Sequence, residues 1–185
     1  MIIGVVGSIA SGKNSFVEAL TAKGFINLRV SNELKEIAKE KGIPLERKPL
    51  QDLGNSLREK YGQGFLAERV MEKINPGMNY VIDSIRNPGE IEIFRNHDDF
   101  VLIGVDAPLD IRLQRILDRN KPGDPKTWEE AKEMEARDRG EGEKESGQQV
   151  SACFDLADYK LVNDGSREEL NSKIALLLKD LDVLI

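Results

Sequence analysis

Apolar residues along this chain fall into two alternating arrangements. Short unbroken runs suited to strands buried on both faces occur at 2–6, 25–30, 80–83, 100–105 and 159–162. Between them, apolar residues recur three and four apart: Phe16-Val17-Ala19-Leu20, Leu34-Ile37-Ala38, Leu53-Leu57, Ile111-Leu113-Ile116-Leu117 and Leu170-Ile174-Leu177-Leu178-Leu181. That spacing puts each set on one face of a helix. Strands and helices taking turns predict right-handed βαβ units, hence an α/β fold whose five-stranded parallel sheet lies between two helical layers.

Two stretches interrupt the alternation and exceed an ordinary βα connection. Residues 31–74 carry only helical pattern, with breaks at Gly42-Ile43-Pro44 and Tyr61-Gly62-Gln63-Gly64. Residues 120–150 are charged, with a helical middle from Thr127 to Asp138. The expected organisation is one domain with its core at 1–30, 79–119 and 157–185, a helical insertion at 31–74 and a charged insertion at 120–150. No internal repeat or low-complexity tract is present.

Composition narrows the function classes. A chain of 185 residues with a formal charge of −6 lacks the broad basic face that a nucleic-acid polymer requires. Its apolar runs fall short of a bilayer span, and its first residues lack the basic and long apolar regions of a secretion signal, so a cytoplasmic location is expected. The lone Cys153 reads as a small buried apolar residue and the lone His97 as a solvated loop residue, rather than as nucleophile and base. No motif speaks to the oligomeric state.

The first run leads directly into Gly7-Ser8-Ile9-Ala10-Ser11-Gly12-Lys13 and then into an amphipathic helix. This is the Gly-x4-Gly-Lys spacing of a P-loop, in the strand-to-helix setting that the chemistry needs. Glycines let successive N–H groups curl inward around a phosphate, the helix offers its positive end, and Lys13 reaches the β- and γ-phosphates. Gly7, Ala10, Ser11, Gly12, Lys13, Asn14 and Ser15 are therefore the expected ATP-phosphate contacts, in a P-loop NTPase fold. Asn14 stands where Ser or Thr usually holds Mg²⁺, and Ser15, about 100° further round the helix, does not replace it. Asn14 is left to ligate through its amide oxygen or through water. Asp83 ends a strand at the sheet edge where ligands bind in open α/β folds. It reads either as the acidic partner of Mg²⁺ or as the cap of the next helix.

Three stretches together resemble the deoxynucleoside monophosphate kinases. Ser11-Gly12-Lys13-Asn14-Ser15 is similar to that family's Ser-Gly-Lys-Asp-Thr. Leu50-Gln51-Asp52-Leu53-Gly54-Asn55-Ser56-Leu57-Arg58 is similar to its Leu-Gln-x-x-Gly-Thr-Glu-x-x-Arg, with Asn55 and Ser56 departing from Thr-Glu. The stretch from Asp83 through Arg86 to Glu90 is similar to its Asp-x-Arg-Phe-x-Asn-Glu, with the Asp to Arg spacing longer by one. The second half, through Asp110 to Arg119 and Ala157 to Leu170, resembles dephospho-CoA kinases and nucleoside monophosphate kinases generally. Val30-Ser31-Asn32 lacks the Asp of dephospho-CoA kinases. The whole chain also resembles the kinase-like region joined to some deoxycytidylate deaminases, although it has no zinc-deaminase signature.

The resemblance implies a phosphotransferase using ATP with Mg²⁺ on a small nucleotide acceptor. It makes 31–74 the acceptor-binding insertion and 120–150 a lid. Arg58 and Arg86 become acceptor-phosphate ligands, Arg58 having a solvated helix position as its alternative. Gln51 and Asn55, four apart on one helix, either meet the acceptor base or form a hydrated face. Arg119 and Arg137 either close on the ATP phosphates with the lid or lie on its surface, since 127–147 carries eight acids against four bases. Lys13, Asp83, Arg86 and Arg137 are the expected catalytic set, with Asn14 and Asp83 the metal ligands. Trp128 either stacks on a base or anchors its helix. Asp83-Ser84-Ile85-Arg86 is not the Asp-x-x-Gly of a GTPase, and Asn120-Lys121-Pro122-Gly123-Asp124 misses the Asn-Lys-x-Asp spacing. Dephospho-CoA kinase is the alternative activity, and a nucleotide sensor without turnover is the alternative of another class.

Overall fold

The computed structural model describes residues 1–119 and 124–183. The predicted start of the charged insertion, Asn120 to Gly123, and the last two residues of the predicted core lie outside the described residues. In chain order the elements are β1 (Ile2–Val6), α1 (Lys13–Ala22), β2 (Ile26–Arg29), α2 (Val30–Glu40), α3 (Arg47–Tyr61), α4 (Phe65–Met71) and β3 (Tyr80–Asp83). There follow α5 (Pro88–Arg95), β4 (Phe100–Asp106), α6 (Leu109–Arg119), α7 (Trp128–Arg139), α8 (Val150–Asp155), β5 (Tyr159–Val162) and α9 (Arg167–Asp180). The five strands form one parallel sheet in the order β2-β3-β1-β4-β5.

Side chains alternate across that sheet as the period of two requires. Ile2 and Val6 of β1, with Tyr80, Ile82 and Leu102, pack against α2 to α5 and α8. Ile3 and Val5, with Val81, Ile103 and Val105, pack against α1 and α9. Gly4 is needed between them, because a Cβ there would lie 2.7 Å from the Phe100 ring. The edge strands β2 and β5 are largely exposed, unlike the doubly buried strands that their apolar runs suggest. The second strand also stops one residue early: Arg29 is extended and caps α2, so Val30 is already helical.

Two helices go beyond the periodicity reading. Helix α5 starts at a capping box in which Asn87 and Glu90 satisfy each other's backbone N–H groups, and it buries Ile91 and Phe94. Helix α8 is six residues long and inserts Val150 and Cys153 into the core. Helix α7 opens on a second capping box, Thr127 with Glu130, and stops at Gly140 in the left-handed conformation. Its apolar contribution is small: Ala131 and Trp128 pack with Leu113, Ile116, Ile9 and Ala10. Trp128 thus anchors its helix. The rest of that joint is polar: Arg112, 1% exposed, donates from Nη1 to Glu135 Oε1 of α7 at 2.6 Å and from Nε to Ala107 O at 2.8 Å. Among the described residues no helix is long and apolar enough to cross a membrane.

Candidate functional site

The loop between β1 and α1 runs along the carboxyl edge of the sheet, and two of its glycines are sterically required. Gly7 has φ 149°, and a Cβ on it would lie 1.8 Å from Val105 O of β4. Gly12 has φ 106°, and a Cβ there would come within 2.4 Å of Asn163 Nδ2, which itself donates to Ser11 O at 2.9 Å. Ala10 and Ser84 also take left-handed φ values of 60° and 68°. Conformations of that kind cost about 1–3 kcal/mol in a residue with a Cβ, and both residues line the cavity beside the loop. The Ser11 hydroxyl, wholly buried, makes no hydrogen bond among the described residues.

That first cavity, of about 510 Å³, is lined by Gly7, Ile9 to Asn14, Arg29, Arg47, Asp83 to Arg86, Arg115, Arg119, Asp138 and Val150. Six of these side chains are basic and two are acidic, in a protein whose net charge is −6. The excess of cations makes the cavity an anion site. Lys13 Nζ donates to Gly7 O and Ser8 O, both at 2.7 Å. Desolvation lowers its pKa to about 8, against the raising pull of Asp138, Asp83 and Asp106. Asp83, 4% exposed, is paired through Oδ2 with Arg29 at 2.8 Å, while its Oδ1 accepts from Ser84 N at 2.6 Å. It does not cap a helix, since Asn87 caps α5.

Asp138 of α7 is the second carboxylate, 3% exposed. Its Oδ1 accepts from Arg86 Nη1 and, at 3.0 Å, from Arg47 Nη2. Burial pushes this carboxyl up, but Arg86, Arg47 and Lys13 outweigh it and hold the pKa below the usual aspartate range. Asp138 in turn raises that of Arg86. A carboxylate from the charged insertion therefore joins an arginine of the core to one of the helical insertion.

A second cavity, of about 260 Å³, opens beneath α2, α3 and α4 and shares Arg29, Arg47, Ser84 and Arg86 with the first. Val30, Leu34, Leu50, Gly54 and Leu66 form its apolar walls, and Gln51 and Gln148 its amides. Five basic residues line it, Arg29, Lys35, Arg47, Arg58 and Arg86, and no acidic residue does among the described residues. Arg58 is not a solvated helix residue: it is 4% exposed and bonds Glu90 Oε1 through Nε at 3.1 Å and Nη2 at 3.0 Å. Glu90 also accepts from the Arg86 N–H at 2.8 Å, so it ties α3 to the segment that carries Arg86.

The two cavities thus bring together most of the residues picked out in the sequence. Gly7, Ala10, Ser11, Gly12, Lys13, Asn14, Asp83, Arg86 and Arg119 line the first, and Gln51, Arg58 and Arg86 the second. Arg119 is held by both oxygens of Asp124, at 2.6 and 2.7 Å. Ser15 faces a separate recess with Arg115 and Asn163. Asn55 and Arg137 reach neither cavity. Asn55 donates to Glu143 Oε2 at 2.7 Å, while Arg137 pairs with Glu143 at 2.7 Å and with Asp52 at 2.8 Å, which raises its pKa. Cys153 is fully buried and its thiol is pushed up by that burial. Arg29, Arg47, Arg115, Asp138 and Gln148 went unnoticed in the sequence. Arg29 alone carried a signal, as the last residue of a strand at the ligand-binding edge.

A phosphate-type glycine loop at the centre of a β2-β3-β1-β4-β5 parallel sheet, flanked by two insertions, defines the P-loop kinase-like α/β fold. The family described as an AAA domain matches residues 3–138. The UPF0200 protein Ta0179 of Thermoplasma acidophilum is 32% identical over 97% of this chain and 96% of its own length. The UPF0200 protein TV0279 of Thermoplasma volcanium is 33% identical over 97% of each. The chain therefore belongs to the AAA-domain family and, with these relatives, to the UPF0200 proteins. Solved structures share the fold at lower identity. TT1252 from Thermus thermophilus has a TM-score of 0.65 at 21% identity, covering 98% of this chain and 97% of its own. Dephospho-CoA kinase from Campylobacter jejuni has a TM-score of 0.56 at 16% identity, covering 97% and 96%. Shikimate kinase from Acinetobacter baumannii, in complex with shikimate, has a TM-score of 0.56 at 16% identity, covering 99% and 95%.

Proposed function

We propose that this protein is an ATP-dependent phosphotransferase that converts a (deoxy)nucleoside monophosphate to the diphosphate. The observation that carries the proposal is the meeting of two cavities at Arg29, Arg47 and Arg86, the first beside a P-loop and the second lined by five basic residues and no acidic one among those described. In this reading the triphosphate of ATP lies along Gly7 to Lys13, and the acceptor phosphate enters from the second cavity onto the shared arginines. An acceptor phosphate oxygen attacks the γ-phosphorus, the bond from that phosphorus to the β–γ bridging oxygen breaks, and the electron pair leaves with ADP. Lys13 exchanges its loop carbonyls for β- and γ-phosphate oxygens, and Arg86 and Arg47 exchange Asp138 for phosphate. Charge neutralisation and alignment are the protein's main contribution to such a transfer.

Asp83 and Asn14 both line the first cavity and offer the oxygen ligands that suit Mg²⁺. They would hold it directly or through water, with Arg29 giving up Asp83. The ion would supply neutralisation of charge between the β- and γ-phosphates. The charged insertion acts as the lid, and Arg119, the last residue of α6 and part of the lining of the first cavity, leads into it.

A hydroxyl acceptor, such as that of a dephospho-CoA kinase, is the weaker reading. An alcohol needs a base, and the carboxylate at the seam, Asp138, is bound to two guanidiniums and titrates low, which makes it a poor one. A phosphate acceptor is already ionised and needs none. The test is ADP formation across all ribo- and deoxynucleoside monophosphates plus dephospho-CoA. Turnover of dephospho-CoA alone would overturn the nucleotide reading, and tight ATP binding without turnover of any acceptor would make the protein a sensor.

A further inference from the structure

We infer that Gln51 and Gln148 together read the base of the acceptor, an inference that rests on the nucleotide-acceptor reading of the second cavity. The two residues come from α3 and from the segment after α7, both line that cavity, and each is 7% exposed. Gln51 Nε2 donates to Gln148 Oε1 at 3.3 Å, and Arg86 Nη1 donates to the same oxygen at 3.1 Å. A guanidinium only donates, so Arg86 fixes which way the Gln148 amide points and turns its NH₂ away. The Gln51 amide spends one of its two N–H groups on that bond, and its carbonyl makes no hydrogen bond among the described residues.

Gln51 Oε1 and Gln148 Nε2, an acceptor and a donor on residues that line the cavity, have no hydrogen-bond partner among the described residues. The complement is a flat ring edge carrying a donor beside an acceptor, between the apolar walls of Leu34, Leu50 and Leu66. The pairing edge of a nucleobase has that form. Asn55, the partner of Gln51 in the sequence reading, is turned to Glu143 and is replaced here by Gln148. Because Arg86 holds the Gln148 oxygen, the phosphate end and the base end of the cavity form one hydrogen-bonded row.

Gln148→Glu separates the possibilities. It keeps the side-chain volume and an oxygen for Arg86 and Gln51, but makes the free group an acceptor. Both free groups then accept, and guanine alone among the common bases offers two adjacent donors, N1–H and N2–H₂. The value of kcat/KM for guanosine monophosphates relative to every other monophosphate should therefore rise about tenfold or more in the variant. The added charge scales all monophosphates alike and drops out of that ratio. Where the variant turns over slowly, dissociation constants for the same monophosphates by calorimetry give the same ratio. Unchanged ratios would overturn base reading by this pair while leaving the acceptor class intact. Failure of the unaltered protein to phosphorylate any monophosphate would overturn the acceptor reading and this inference with it.

Discussion

Replacing Asp138 by Asn removes one charge and almost no volume from the point where the two cavities meet. Two charge-assisted hydrogen bonds end on Oδ1, from Arg47 and Arg86, whose side chains are 32% and 31% exposed. A hydrogen bond to a charged group contributes about 1.5–3 kcal/mol. Partial hydration of both guanidiniums, and the amide oxygen that Asn retains, reduce the loss to about 2 kcal/mol in total. For a chain of this size that corresponds to a fall in Tm of about 4–8 °C. The same substitution leaves Arg47, Arg86 and Lys13 facing a cavity with one anion fewer, so ATP or inorganic phosphate should raise the Tm of the variant by more than that of the unaltered protein. Thermal scanning with and without these ligands reads both effects. The pH dependence has a definite sign. Asp138 titrates lower in the folded protein than unfolded, so its contribution is complete above the ordinary aspartate pKa and fades as pH falls through its own lower value. The Tm gap should be full at neutral pH and close in acid. A variant with unchanged Tm and an unchanged ligand response would refute the view that this carboxylate holds the place of a phosphate.

Lys13, with its pKa at about 8, is partly neutral in mildly alkaline solution, so ATP binding there should take up a proton and weaken as pH rises. Calorimetry in two buffers of different ionisation heat detects the proton, and the absence of any buffer dependence near pH 8.5 would contradict the assignment. The contribution of Lys13 to stability runs the other way. The unfolded chain binds more protons between about pH 8 and 10.5, so this contribution grows with pH. Asp83→Asn should raise the Mg²⁺ concentration needed for half-maximal rate by about tenfold or more, and an unaltered Mg²⁺ titration would restrict Asp83 to holding Arg29. Arg86→Lys keeps the charge but loses the fork, so KM for the monophosphate should rise about tenfold and KM for ATP far less; equal changes in both would remove Arg86 from the acceptor side.

The legible parts of this protein were those set by neighbours in sequence. The loop from Gly7 to Lys13 and the strands at 2–6 and 80–83 followed from local periodicity and turn chemistry. Edge strands β2 and β5 were found although they are exposed, because their apolar runs answer to the β propensity of residues such as Ile26, Tyr159 and Val162. What stayed hidden depends on contacts distant in sequence. Asp138 meets Arg86 and Arg47 across separations of 52 and 91 residues, and in an acid-rich helix nothing local distinguishes it from a solvated carboxylate. The same holds for Gln148, which meets Gln51 across 97 residues. Arg137 carried as strong a local signal as Arg119, yet Asp52 and Glu143 draw it to the outside of α3.

The joint between α6 and α7 bears on how such a chain accommodates sequence change. Arg112 and Glu135 are 1% and 5% exposed and bonded to each other, so an apolar substitution at either position takes the nearest counter-charge from a buried group, leaving Arg112 with Asp106 at 3.3 Å or Glu135 with Arg139 at 3.8 Å. A loss of that kind costs about 3–5 kcal/mol, whereas exchanging both at once for apolar residues of similar volume is often neutral. The two positions are therefore coupled: drift through one substitution at a time is costly, and the attachment of the charged helix to the sheet passes between alternatives most cheaply in paired steps.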